Sequence, residues 1–191
     1  MKKQLVAMVL LVPILLLSFL ISGCVDQDLK NKLIEYDEQY YAILHESPQG
    51  KEMFILRDET QQIYSTVTNF TITEVEKVEL NMKKLKKDYE YIIRSLENLK
   101  VPEPMKAIHQ KTIQDYEDYI LIASIAVDTF EGWKEGSLTD EKYLQNDKEV
   151  QDLSKHTLIL EQELTKLMRE IYGKYGLDYL LTKYPTYTPK S

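Results

Sequence analysis

Apolar side chains recur along most of the chain in alternating steps of three and four. The longest series is Val75, Val78, Met82, Leu85, Tyr89, Ile92, Leu96 and Leu99, the narrow seam of a helix turned toward another helix. Thr73 followed by Glu76 has capping-box spacing and predicts where that helix starts. Val101-Pro102-Glu103-Pro104 predicts its end, because proline cannot continue the hydrogen-bond ladder. A second series, His109, Ile113, Tyr116, Ile120, Ala123, Val127 and Phe130, predicts a helix from near Pro104 to near Glu135. Between Tyr119 and Val127 that helix is apolar almost all round, which predicts the most buried helix of the molecule. A third helix begins near Thr139, carries Val150, Leu153, Thr157, Leu160, Leu164, Leu167 and Ile171, and is closed by Gly173 and Gly176.

Two further stripes lie upstream, Leu29, Leu33, Tyr36, Tyr40, Ile43 and then Met53, Leu56, Thr60, Ile63, Val67, Phe70. The heptad phase slips across Ser47-Pro48-Gln49-Gly50, which predicts two helices or one broken helix kinked there. No segment alternates with period two, so the expected fold is all-α. Helices of about 30 residues reach roughly 45 Å, and about four of them joined by short turns make an antiparallel up-and-down bundle. Residues 31–183 are the expected bundle, and residues 184–191, YPTYTPKS, an expected loose tail.

The first 23 residues follow a different rule. Residues 5–23 carry no charge and follow Lys2 and Lys3, the layout of a secretory signal peptide. The run ends in Ile21-Ser22-Gly23-Cys24, which resembles the lipobox of prokaryotic lipoproteins: an aliphatic residue, a small one, Gly or Ala, then Cys. The resemblance implies cleavage of 1–23, a diacylglyceryl group on the Cys24 thiol, a linker over 24–30, and a protein lipid-anchored to a membrane on the extracytoplasmic face of the cell envelope. Each buried CH₂ adds about 0.8 kcal/mol and two acyl chains anchor stably. An uncleaved membrane span is the rival reading, since nineteen apolar residues nearly reach the ~20 a bilayer needs. Pro13 interrupts the run, and Val25-Asp26-Gln27-Asp28 supplies no basic stop signal. In a two-membrane bacterium, Val rather than Asp at position 25 would mean that the family's inner-membrane retention signal is absent. Asn69-Phe70-Thr71 fits the N-glycosylation pattern.

Composition narrows the function classes. The 191 residues hold 24 basic and 31 acidic side chains, a net charge of −7 that deepens when Lys2 and Lys3 leave. Nucleic acid is not an expected partner, because its binding needs a positive stripe. One cysteine rules out an intrachain disulfide or a multi-cysteine metal site. The chain lacks His-Glu-x-x-His, Glu-x-x-His, Cys-x-x-Cys-His, a phosphate loop and a Gly-rich dinucleotide turn. No cofactor, metal or enzymatic activity is therefore expected.

The residues left to weigh are histidines, tyrosines and lysines. His156 stands four residues after Asp152, one helix face on which two metal ligands meet, although a solvated polar pair is the plainer reading. His109 lies on an apolar stripe with Asp115 and Glu117 downstream; a hydrogen-bonded core histidine is the plainer reading, a ligand-binding one beside Tyr116 the sharper. Fourteen tyrosines, among them Tyr36, Tyr40, Tyr89 and Tyr116 on the seams, read as core with polar tips or as a contact surface. Lys83, Lys84, Lys86 and Lys87 flank an inward Leu85, a solvated face or a contact for anionic surfaces. Together these favour a non-enzymatic interaction or structural module of the cell envelope, with another envelope protein as partner. The alternative is a small-molecule or ion receptor with a pocket between helices near His109 and Tyr116.

Overall fold

Alternating steps of three and four place one apolar stripe on each helix, and stripes of this kind are buried by laying helices side by side. The computed structural model describes residues 27–66 and 71–183. Helix α1 occupies residues 27–41, so the stretch expected as a linker is already helical at 27. A π-turn, Ala42–Glu46, joins it to α2, Pro48–Thr66. The remaining long helices are α3, Ile72–Glu97, α4, Lys106–Lys134, and α5, Asp140–Tyr175. A 3₁₀ turn, Glu103–Met105, leads into α4, and a 3₁₀ segment, Asp178–Lys183, follows α5. No strand occurs among the described residues, and the fold is an all-α bundle.

Cross-helix contacts fix the topology. Glu59 meets Lys77, Lys83 meets Glu131, and Lys111 meets Glu163. Each pair joins an ascending helix to a descending one, so α2, α3, α4 and α5 alternate in direction. Tyr36 and Tyr40 face His109 and Thr112, which sets α1 parallel to α4. Thus α1 and α2 form one broken rod, and four rods run up and down. At the near end α1 starts and α3 and α5 finish; at the far end α2 and α4 finish.

The break between α1 and α2 has a local cause. Ser47 takes an extended ψ of 149°, and its hydroxyl accepts from the Gly50 amide while donating to the Ile43 carbonyl. A methyl group on Gly50 would lie 2.2 Å from the Leu44 carbonyl oxygen, so only glycine lets the two segments fold this closely. At the end of α5, Gly176 has φ 64°, the left-handed conformation that terminates helices.

Besides the linker, three sequence expectations shift. The helix start read at Thr73 and Glu76 lies two residues earlier: the Thr71 side chain accepts from the Glu74 amide, and Glu74 accepts from the Thr71 amide. Two overlapping Thr-x-x-Glu spacings exist there, and the earlier one satisfies the free donors. The seam of α3 is also wider than expected, since Glu79, Asn81 and Asp88 are buried along with Val75, Val78, Leu85 and Tyr89. The helix packs α2 on one side and α4 on the other.

The third shift is the largest. The apolar run Tyr119–Val127 was expected to be the deepest part of the molecule, yet within it only Ala123 is buried and Leu121 is half in solvent. The core instead gathers at the near end, where Leu33, Met53, Ile92, Leu96, Met105, Ile108, Tyr172, Leu177 and Leu180 are essentially inaccessible. No described helix is long and apolar enough to cross a membrane.

Candidate functional site

Tyrosines hold the near end together through their hydroxyls. Tyr36 and Tyr40, one turn apart on α1, stack at 5.9 Å and reach across to α4. The Tyr36 hydroxyl lies 3.1 Å from His109 Nδ1, and the Tyr40 hydroxyl 3.4 Å from Thr112 Oγ1. Burial raises both phenols, Tyr40 to about 12, so each stays protonated. Burial lowers the His109 imidazole, which favours the neutral ring. Next to them, Asp37 is wholly buried: Tyr172 donates to its Oδ1 at 2.6 Å, and Lys183 reaches Oδ2 at 3.3 Å. One carboxylate on α1 therefore ties down α5 and the segment that follows it.

The expected ligand residues stand within this lattice. His109 and Tyr116 lie on one face of α4, both buried. Between them on the same face sits Thr112, bonded to Tyr40, and Tyr116 packs against Tyr89 at 5.7 Å. The space that a small molecule would take between His109 and Tyr116 is thus occupied by Tyr40 and Thr112. The three histidines are far apart in role: His45 is stacked between Tyr41 and Phe54, His109 meets Tyr36, and His156 meets Asp118. Asp152, expected to share a face with His156, lies 3.5 Å from Lys155. No group of three metal-ligating side chains converges among the described residues.

Midway along the bundle lies a second polar cluster that sequence reasoning only touched. Arg57 on α2 sends its Nη2 to the Tyr119 hydroxyl at 3.2 Å, with its guanidinium carbon 4.6 Å from the Tyr119 ring centre. Tyr119 on α4 in turn donates to Glu161 on α5 at 3.0 Å, and Tyr89 on α3 stacks on its ring at 5.4 Å. Burial works against the Arg57 charge, but the surrounding phenols and Glu161 outweigh it and the guanidinium stays charged. Asp118 and His156 bridge α4 and α5 at 2.6 Å, a salt bridge only while the imidazole is protonated. Asp115 lies in the middle, buried, with Oδ1 lacking any hydrogen-bond partner. Desolvation first, and then the nearby Glu161, raise its carboxyl to about 7.

The outer faces are equally informative. Lys83 is engaged by Glu79 and Glu131, and Lys84 lies 4.0 Å from Glu52, so two of the four clustered lysines are matched by acidic neighbours. Leu121 and Trp133 on α4, with Tyr143, Leu144, Leu158 and Ile159 on α5, stand about half or more in solvent. Gln145, Lys148, Glu149, Asp152, Leu153 and His156 line an open depression of about 460 Å³ on α5. Cys24, the lipobox, Asn69 and the tail lie outside the described residues.

Comparison with family models, with curated proteins and with solved structures finds no match to this chain.

Proposed function

We propose that this chain is a lipid-anchored protein of the cell envelope, held outside the cytoplasm through Cys24, whose bundle presents α5 and the adjoining face of α4 to another envelope protein. The observation that carries the interaction is that six large side chains on those two helices, Leu121, Trp133, Tyr143, Leu144, Leu158 and Ile159, stand about half or more in water. Scattered single apolar residues need no partner, but several on adjoining helices mark an association surface. The anchor rests on Ile21-Ser22-Gly23-Cys24 and the charge-free run before it. The seating of Tyr36 on His109 and of Tyr40 on Thr112 supports this reading over a receptor with a pocket at that histidine.

The test uses the full chain in its own cells. Labelled fatty acid is expected to enter the wild type and not Cys24→Ala. A photo-crosslinking residue at position 144 or 158 is expected to yield a discrete adduct with an envelope protein, and one at Glu38 on α1 to yield none. Failure of fatty-acid incorporation removes the anchor; adducts equal at all three positions, or absent at all three, remove the interaction surface.

A further inference from the structure

A buried carboxylate without a full set of partners demands an explanation, because desolvation of the charged form costs several kcal/mol in a protein interior. Asp115 is such a group: it is 8% exposed, and Oδ1 has no hydrogen-bond partner. Every helix around it contributes a charged or titratable group. Tyr40 faces it from α1, Arg57 from α2, Tyr89 from α3, Asp118, Tyr116 and Tyr119 from α4 itself, and His156 and Glu161 from α5. The phenols are neutral, so among the described residues Arg57 is the constant cation set against Asp115, Asp118 and Glu161. A proton on Asp115 relieves the excess of negative charge.

The helix that would respond is also marked. The buried residues of α5 are Asn146, Thr157, Leu160 and Tyr172. The last is pinned by Asp37 inside the near-end core, whereas the first half of α5 is held to α4 largely through polar contacts. These are Asn146 to Thr129 at 2.7 Å, His156 to Asp118, and Tyr119 to Glu161. A seam of this kind has little apolar burial to hold it when its charges change.

We propose that the Asp115 cluster is a proton-operated latch between α4 and α5: protonated, it closes the first half of α5 onto α4, and deprotonated, it lets that half loosen while the pinned end stays in place. The direction follows from the carboxyl being raised to about 7 by burial. An acid whose folded value exceeds its ordinary one favours folding fully at low pH, and this contribution is lost as pH rises from about 4 through about 7. Asp88 on α3, raised to about 6 by desolvation and by Glu52, acts with the same sign on a different seam, so the readout must be local. Opening of the latch would uncover the apolar run that begins at Tyr119.

The test is hydrogen exchange of the full chain in detergent micelles, corrected for intrinsic rates, at pH 5.5 and pH 8. Protection of residues 140–161 is expected to fall by about tenfold or more between the two, with protection of 85–116 kept. Asp115→Asn, which cannot ionise, is expected to hold the protection of 140–161 at pH 8. An equal loss in the variant, or no loss in the wild type, overturns the proposal. Should Asp115→Asn fail to fold, the carboxyl carbon resonance of Asp115 in the wild type decides: a titration midpoint of about 6 or above supports the latch, and any lower midpoint overturns it.

Discussion

Ile92, Leu96, Ile108 and Tyr172, where α1 meets α3, α4 and α5, are at most 1% exposed, while Leu121, Leu144 and Leu158, where the first half of α5 lies along α4, are 50% exposed or more. The two regions share helices, period and composition, so neither propensity nor pattern separates them. What separates them is how many neighbours each helix has. At the near end α1 is laid over α4 and α5, and the segment Asp178–Lys183 folds back beneath it with Leu180 buried. Along the first half of α5, α4 is the principal neighbour, and a helix with one neighbour buries one narrow stripe. An apolar residue off that stripe remains in water however favourable its burial would be. The polar groups divide in the same way. The near-end carboxylate, Asp37, is matched by Tyr172 and Lys183, whereas mid-bundle Asp115 keeps an unpaired oxygen.

Truncating the near-end core should have the largest effect. Ile92→Ala removes a fully buried side chain and is expected to cost about 2–5 kcal/mol, the range for deletions whose cavity cannot collapse. Chemical denaturation followed by far-ultraviolet circular dichroism measures it. A loss below 1 kcal/mol would mean that the near end is no better packed than the far half of α5, and the contrast between the regions would fall.

Tyr172→Phe probes the polar side of the same contrast. The variant keeps the ring but removes the 2.6 Å hydrogen bond to Asp37. Hydrogen bonds to charged groups contribute about 1.5–3 kcal/mol, and the remaining Asp37 carboxylate would be left with a weaker set of donors. The unfolding midpoint should drop accordingly, and the loss should exceed that of Tyr143→Phe, whose ring is half in water.

Gly50→Ala tests the break between α1 and α2. The added methyl group would overlap the Leu44 carbonyl oxygen, which is backbone and has little room to move. Overpacking of this kind costs about 1–3 kcal/mol. If the variant is as stable as the wild type, the two segments do not need the close approach that sets α1 against α4.

These variants also mark how far the fold was legible before any coordinates. Several helix boundaries were, because they are written in local chemistry: Thr139 caps α5, Gly176 ends it, and the slip of phase at Ser47 and Pro48 locates the break, whereas the start of α3 lies two residues before the expected cap. The depth of each helix was not. The run from Tyr119 to Val127 is as apolar as any core helix, and nothing in its own residues tells that Leu121 stays half in water. The site residues divide similarly. His109 was legible as a hydrogen-bonded histidine on a stripe, although its partner Tyr36 lies 73 positions away. Asp37 and Tyr172 were missed because they lie 135 positions apart, and each is one residue off a recognised apolar position. Arg57 directly follows Leu56 and has the appearance of a helix flank; only the approach of Tyr119 from α4 turns it inward.

The smallest expected effect on stability is the most informative about function. Leu144→Gln and Leu158→Gln change side chains that already stand in solvent, and surface substitutions of this type move stability by no more than about 0.5 kcal/mol. If the exposed side of α5 were merely unfinished core, these changes would be silent in every assay, and the gain in polarity would only improve solubility. If it is the face offered to another envelope protein, the same changes should leave the unfolding curve in place and abolish the adduct formed through position 144 or 158, each introduced with the photo-crosslinker at the other position. Binding surfaces concentrate their energy in a few large side chains, so one of the two substitutions should suffice. Loss of the adduct together with a shifted unfolding curve would instead place these leucines in the fold, and would erase the distinction between the two halves of α5.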